Sequence, residues 1–294
     1  GKQHLVVKKK PLEEDGIVSV VAEGDNDVDN VDVDKEPVTR LVGCGFPHKQ
    51  KVDVRIVDRE SRTELPEGSV GEIWVRSPSK AAGYFGNEQA TLEDFGATLS
   101  DQPLEEYLRT GDLGFFYETE LFICGRLKDL IIVAGRNYYP QDIEATAEAT
   151  SDELRPGCSA AFTIDVSSGG GGEEVALLME LRTVPGSTVK IRELCDPLAE
   201  TVRASVQREH SLGISEVVFL ATKTVPKTSS GKIARSWCRK GFLAGTLQTV
   251  YRKSFVSGGG IGGGAGVGVF EIEGGEASTA HGGSSQAAAS ATAP

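Results

Sequence analysis

No run of this 294-residue sequence approaches the ~20 consecutive apolar residues that a membrane-spanning helix needs, and no signal-peptide pattern opens it. Stable membrane insertion is therefore not expected. Basic charge is also in short supply: 31 Lys plus Arg stand against 43 Asp plus Glu, a formal net charge of -12. Such a balance repels nucleic acid and anionic membrane surfaces on average and leaves a small ligand as the expected partner. The five cysteines (Cys44, Cys124, Cys158, Cys195, Cys238) are odd in number, widely scattered and never spaced Cys-x-x-Cys. That excludes a zinc ribbon and a disulfide framework, and fits reduced thiols in an intracellular, cytoplasmic protein. The first residue is Gly rather than Met, as expected of a piece of a longer chain.

With 39% hydrophobic residues the chain has enough apolar material for a packed core, and its length suits about two domains. Residues 5–21 hold two short apolar segments, LVV and IVSVV, expected as edge strands around the polar KKKPLEEDG. From Glu23 to Glu36 like charge dominates and little can be buried, which predicts a mobile surface loop. Asp25, Asp27, Asp29 and Glu36 match acidic positions of a calcium loop, but Asn30 replaces the Gly that its turn needs, so a solvated loop is the better reading. Order is expected from Leu41. Val52, Val54 and Ile56 alternate with Asp53, Arg55 and Val57, and Glu72–Arg76 follow a turn-rich PEGSVG, the pattern of a half-buried hairpin. Tyr84 and Phe85, between Gly83 and Gly86, precede a short helix and read as loop packing rather than a ligand wall.

In Arg109-Thr110-Gly111-Asp112-Leu113-Gly114 the glycines predict a tight turn that leaves the Asp112 carboxylate free to accept from vicinal hydroxyls; the alternative is an Asp that caps its own turn. Two strands, FFY and LFIC, flank an ETE turn and end at Gly125-Arg126. The polar Leu127-Lys128-Asp129 before the apolar Leu130–Val133 has the character of a domain boundary. Pro140 suits the first turn of a helix with Ile143 and Ala147 on one face, ending near Ser151. Strands at 159–165 and 174–181, joined by SSGGGG, precede a helix capped by Ser187 in which Leu194, Leu198, Val202 and Val206 repeat every four residues; a bend is expected at Pro197. After a strand at 216–220, Pro226-Lys227-Thr228-Ser229-Ser230-Gly231-Lys232-Ile233 forms a polar loop before a helix with Trp237 and Phe242. It is not a Walker loop, since the early Gly is absent and Ile233 replaces the hydroxyl residue, yet Lys232 can still reach a phosphate or carboxylate as a point charge. From Ser254 the Gly-, Ala- and Ser-rich sequence predicts no fold.

Taken in order, Gly71–Arg76 with Gly83-Tyr84, Tyr107–Leu113, Gly125–Asp129 with Gly135, and Pro226–Lys232 resemble the later core motifs of the adenylate-forming (AMP-binding) enzyme superfamily, over residues 41–245. Leu41–Pro47 and GRLKDLIIVAGRNYYPQDIE look most like the fatty-acyl-AMP ligases. Acyl-CoA synthetases more commonly carry an Asp at the position of Lys128. The resemblance implies an α+β fold: residues 1–40 a connecting acidic segment, 41–127 the end of the large domain with its antiparallel β subdomain, 128–253 a small mobile C-terminal domain, and 254–294 a disordered tail or linker.

It also implies a chemistry. A fatty acid carboxylate attacks the α-phosphate of ATP, and the acyl-adenylate passes its acyl group to an acceptor thiol on an acyl carrier protein or CoA. By the same resemblance Asp112 binds the ribose hydroxyls, Arg126 lies near ribose and phosphate, and Lys232 is the catalytic cation. Lys128 is the hinge, and Gly135 and Arg136 form a loop near the transfer site. Mg2+ shields the ATP phosphates, with no resident metal site in the chain. The phosphate loop, the adenine site and the acyl tunnel of the family match nothing here, so the chain is expected to be inactive alone. An acyl-CoA synthetase and a non-catalytic acyl-adenylate-binding module are the alternatives.

Overall fold

The computed structural model describes residues 4–24, 37–165, 173–255 and 267–269. The acidic loop with its calcium-like spacing, the SSGGGG connection and nearly all of the Gly-rich tail lie outside the described residues.

Strand β1 (His4–Lys8) runs into helix α1 (Lys9–Glu14), and β2 (Val20–Glu23) and β3 (Val38–Val42) flank β1 in an antiparallel sheet of order β2-β1-β3. The LVV segment is thus a central strand, not an edge, because Leu5, Val6 and Val7 are all fully buried between two ladders. The polar KKKPLEEDG, expected as a connection, forms α1 because Leu12 and Glu13 turn inward. Ordered backbone precedes Leu41 as well: β3 pairs with β1 over five positions, a partner thirty or more residues away and invisible to a local reading.

The next unit is built on one long strand. β4 (Asp53–Val57) pairs with β5 (Gly71–Arg76) in the expected hairpin register, α2 spans Glu88–Phe95, and β6 is Ala97–Leu99. β7 (Gln102–Tyr117) pairs antiparallel with β5, β6 and β8 (Glu120–Arg126). The Thr-Gly-Asp segment is not a turn that reverses the chain but a bulge inside β7. Glu72 pairs with Leu113 while Trp74 pairs with Arg109, so β7 carries extra residues there. Gly111 takes φ +68°, Thr110 Oγ1 donates to Ile73 C=O at 2.7 Å, and the Asp112 N–H donates back to Thr110 Oγ1 at 3.1 Å. A two-residue turn at Glu118 and Thr119, both in left-handed backbone, closes the β7–β8 hairpin, and Phe115 stacks on Phe122 across it at 5.3 Å.

A 3-10 turn, Leu127–Asp129, leads out of β8 into the short hairpin β9 (Ile131–Val133) and β10 (Arg136–Tyr138). Helix α3 (Pro140–Glu148) begins on Pro140, whose missing N–H costs nothing at the first helical position, and ends slightly before Ser151. Beyond it β11 (Leu154–Asp165), β12 (Glu173–Leu181), helix α4 (Thr188–His210), β13 (Glu216–Leu220), α5 (Arg235–Ala244) and β14 (Thr249–Ser254) complete the small unit. Ser187 caps α4 by accepting from Lys190 N–H, as its position predicts. The sheet order is β11-β12-β13-β14-β15, where β15 (Val267–Val269) lies in the stretch expected to have no fold; its pairing with β14 uses backbone groups that composition does not reveal. One face packs Ala161, Leu177 and Phe219 against Ile143 of α3 and Cys195 and Val202 of α4; the other packs Phe162, Leu178 and Val218 against Cys238 of α5.

All five thiols are free and four are buried; burial pushes Cys124 up to about 12, so it is inert at neutral pH. No helix among the described residues is long and apolar enough to cross a membrane.

Two glycines of β7 separate two demands. At Gly111 a Cβ meets open space and strains only the backbone, about 1–2 kcal/mol. At Gly114 it runs into Phe122 C=O and Ile73 Cδ1 in a packed ladder, where overpacking adds roughly 1–3 kcal/mol or more. Thermal unfolding is expected to show a larger loss for Gly114→Ala than for Gly111→Ala; the reverse order contradicts the close packing of β7 on β8.

Candidate nucleotide cleft

Between the β7–β8 hairpin and the small unit lies a cleft of about 870 Å³. Asp112 and Arg126, which precede the 3-10 turn in the chain, Lys128 within it, and Lys232, Arg235 and Trp237 beyond it all line this cleft. Four of the residues singled out in the sequence, Asp112, Arg126, Lys128 and Lys232, thus share one cavity although 120 positions separate the first from the last.

Asp112 and Arg126 are cross-strand partners, and Arg126 Nε donates to Asp112 Oδ1 at 2.8 Å. The hydrogen bond and charge of Asp112 push the guanidinium pKa up, so Arg126 stays cationic. Both side chains remain partly open, 32% for Asp112 and 52% for Arg126, so the pair contributes at most about 1 kcal/mol to stability. Its value is geometric: the bulge sets a carboxylate and a guanidinium side by side at the cleft wall, with the second carboxylate oxygen outside the pair.

Lys232 is exposed on a loop closed upon itself. Thr228 N–H donates to Lys232 C=O at 2.8 Å, Ala234 N–H donates to Pro226 C=O at 3.0 Å, and Gly231 turns at φ +81°. The buried Glu180 holds the start of this loop by accepting Val225 N–H at 2.6 Å. Burial alone would raise the Glu180 carboxyl, yet that N–H and Arg155 at 2.8 Å hold it below the usual carboxylate range.

Sequence reasoning missed Arg235 and Asp129. The Arg235 fork grips both Glu144 carboxylate oxygens, at 2.7 and 2.6 Å, and its third nitrogen lies 3.3 Å from Asp129 of the 3-10 turn. Their only local signal was adjacency to Lys232 and Lys128. Gly135 and Arg136 do not line the cleft. Gly135 forms the β9–β10 turn at φ +78°, and Arg136 lies 3.2 Å from both Glu13 and Glu14 of α1. Tyr84 packs edge-on against Phe95 at 5.2 Å and donates to Asp94, which is loop packing, while Phe85 is fully exposed.

No metal-holding group of three or more His, Cys, Asp or Glu occurs among the described residues. Asp112 and Asp129 each already face an arginine. The cleft is therefore a site of alternating cations and acceptors, suited to a polyhydroxylated anion.

No family model matches the chain. Individual proteins do. It is 41% identical over 216 residues to a medium-chain-fatty-acid acyl-carrier-protein ligase of Moorena producens, across 73% of this chain and 35% of that protein. It is 33% identical over 216 residues to a long-chain-fatty-acid–AMP ligase of Mycobacterium marinum, across 66% of this chain and 34% of that protein. Among solved structures, one from work on fatty acyl-adenylate ligases of E. coli and L. pneumophila superposes with a TM-score of 0.63 at 29% identity, over 82% of this chain and 38% of that one. The chain spans about a third of the length of the curated relatives it matches.

The Arg136 anchor is pH-sensitive. Burial raises the Glu13 carboxyl to about 7 against the opposing pull of Arg136 and Lys9. The folded state then holds a proton that the unfolded state has released, so the contribution of Glu13 is fully present below about 4.5 and is lost as pH rises to about 7. Relative to Glu13→Gln, the chain is expected to lose on the order of 2–3 kcal/mol across that window in pH-dependent unfolding. A pH-independent difference between the two contradicts it.

Proposed function

The chain belongs to the adenylate-forming enzyme superfamily, among its fatty-acid ligases, and from that premise we propose that it supplies the C-terminal portion of an ATP-dependent fatty-acyl-AMP ligase. The observation that carries the reading is that Asp112, Arg126, Lys128 and Lys232 line one cleft. The name of the Moorena relative favours a carrier-protein thiol as the acyl acceptor.

In the reaction a fatty acid carboxylate oxygen attacks the α-phosphorus of ATP, the bond to pyrophosphate breaks, and an acyl-adenylate forms. The acceptor sulfur then attacks the acyl carbon and AMP leaves. Asp112, with an oxygen free of Arg126, accepts from the ribose hydroxyls, a charge-assisted contact of about 1.5–3 kcal/mol. Arg126 orients Asp112 and faces the ribose and phosphate. Lys232 lies between carboxylate and α-phosphate oxygens and opposes the charge that builds as the new bond forms. Mg2+ would supply charge neutralisation on the ATP phosphates; among the described residues the two cleft aspartates, Asp112 and Asp129, are ion-paired with Arg126 and Arg235.

Lys128, exposed in the 3-10 turn, is the pivot on which residues 128–253 swing as a mobile domain between adenylation and transfer. In the transfer arrangement Arg136 leaves α1 and, with Gly135, approaches the acceptor. The two thirds of the relatives' length that this chain does not span hold the remaining substrate contacts.

In the protein that joins this chain to such a region, fatty-acid-dependent ATP–pyrophosphate exchange is expected to fall roughly 10²- to 10³-fold in Lys232→Ala. Exchange at the unaltered rate would sink the catalytic role. Asp112→Asn is expected to weaken ATP binding about 10- to 100-fold. Acyl transfer is expected to be faster to a phosphopantetheinylated carrier protein than to CoA; the opposite order favours an acyl-CoA synthetase.

A further inference from the structure

We propose that Trp237 covers the acyl-adenylate in the cleft and keeps water from its acyl carbon. The inference rests on the adenylating role proposed for the cleft and goes beyond it, because Trp237 makes and breaks no bond.

The two tryptophans of the chain sit in opposite surroundings. Trp74 is buried, its indole N–H donates to Glu72 at 3.1 Å, and its ring lies near Tyr107 and the Arg109 guanidinium. Trp237 is 56% exposed, and its side chain makes no hydrogen bond or ring contact with any described residue. An indole carries on the order of 200 Å² of largely apolar surface, and leaving it in water is unfavourable. The position is nevertheless firmly held. The N–H groups of Trp237 and Cys238 both donate to Ala234 C=O, at 2.8 and 2.9 Å, and Cys238 packs in the sheet core with Phe162 and Val218. Successive helical residues lie about 100° apart, so the inward Cys238 turns Trp237 aside from that core, and it lines the cleft.

The polar walls of the cleft are open to water at Asp112, Arg126 and Lys232. Of its lining residues, the exposed large apolar ones are Trp237 and Ile123, the latter 43% exposed. Ile123 lies three positions before Arg126 on β8, and Trp237 lies five beyond Lys232, so each polar group has an apolar companion on its own element. A mixed anhydride bound by those groups is vulnerable. A water oxygen attacks the acyl carbon, the bond from that carbon to the phosphate oxygen breaks, and fatty acid and AMP leave with the surplus proton released to solvent. An indole lying over the acyl carbon excludes that water. The Ala234 N–H bond to Pro226 C=O ties the Lys232 loop to the start of α5. The cover therefore arrives with Lys232 and withdraws with it, and the same motion clears the acyl carbon for the acceptor thiol.

Fluorine NMR of the longer enzyme carrying fluorotryptophan reads the contact, with the Trp237 resonance identified by its loss in Trp237→Phe. The solvent isotope shift of that resonance is expected to fall at least about twofold when a sulfamoyl analogue of dodecanoyl-adenylate binds. With excess enzyme, chemically made dodecanoyl-adenylate and no acceptor, hydrolysis of the bound adenylate is expected to quicken roughly 10- to 100-fold in Trp237→Ala and to stay within about threefold of the unaltered rate in Trp237→Phe, which keeps an aromatic face. A Trp237 resonance already shielded from solvent without the analogue overturns the proposal, because the indole then packs on another part of the enzyme. Hydrolysis at the unaltered rate in Trp237→Ala overturns it as well. Trp237-dependent protection of the added adenylate in a protein that performs no pyrophosphate exchange upholds the cover and refutes the proposed function instead.

Discussion

The antiparallel ladder between β7 and β8 is the constraint on which the site depends. It sets Asp112 opposite Arg126, and β8 ends there, directly before the 3-10 turn. A strand of sixteen residues makes this possible because it serves three neighbours at once, pairing with β6 along its first part and with β5 and β8 further on. Where those registers conflict, the bulge at Thr110 and Gly111 absorbs the mismatch and aims Asp112 into the cleft. The packing beneath is tight: Phe115 and Phe122 are fully buried, and Gly114 has no room for a methyl group.

Buried carboxylates with arginine partners recur wherever an element bearing a cleft residue must be held. Glu72 under β7 accepts from Arg109 at 2.9 Å and from the Trp74 indole at 3.1 Å. Glu180 and Arg155 hold the entry to the Lys232 loop, and Glu144 and Arg235 hold its exit. Removing one member of such a pair leaves an uncompensated buried charge, which costs more than the pair itself contributes. The arrangement favours geometry over net stability.

Much of this was legible locally. The period-two alternation at Val52–Val57 gave the hairpin, Pro140 and Ser187 marked helix starts, and four ordered motifs pointed to the superfamily. Residues fixed by distant partners were not legible. Thr-Gly-Asp looks like a turn because Gly111 does adopt a left-handed conformation; only the continuing ladder on both sides reveals a bulge. LVV reads as an edge strand until β3, beyond a long acidic stretch of sequence, supplies its second neighbour. The ion pairs of Arg136 were not legible either, since its partners Glu13 and Glu14 sit more than 120 positions earlier. Arg235 resembles any helix-start arginine until Glu144 and Asp129 are placed around it.

The central claim is that Asp112 and Lys232 bind the same nucleotide from opposite sides of the hinge. The most direct measurement is the acetylation rate of Lys232 in the full-length protein, with and without a non-hydrolysable acyl-adenylate analogue, in the unaltered chain and in Asp112→Asn. The account predicts that the analogue slows acetylation of Lys232 in the unaltered chain and that this protection is lost in Asp112→Asn at the same analogue concentration. Equal acetylation of Lys232 with and without a bound analogue, or protection independent of Asp112, would contradict it.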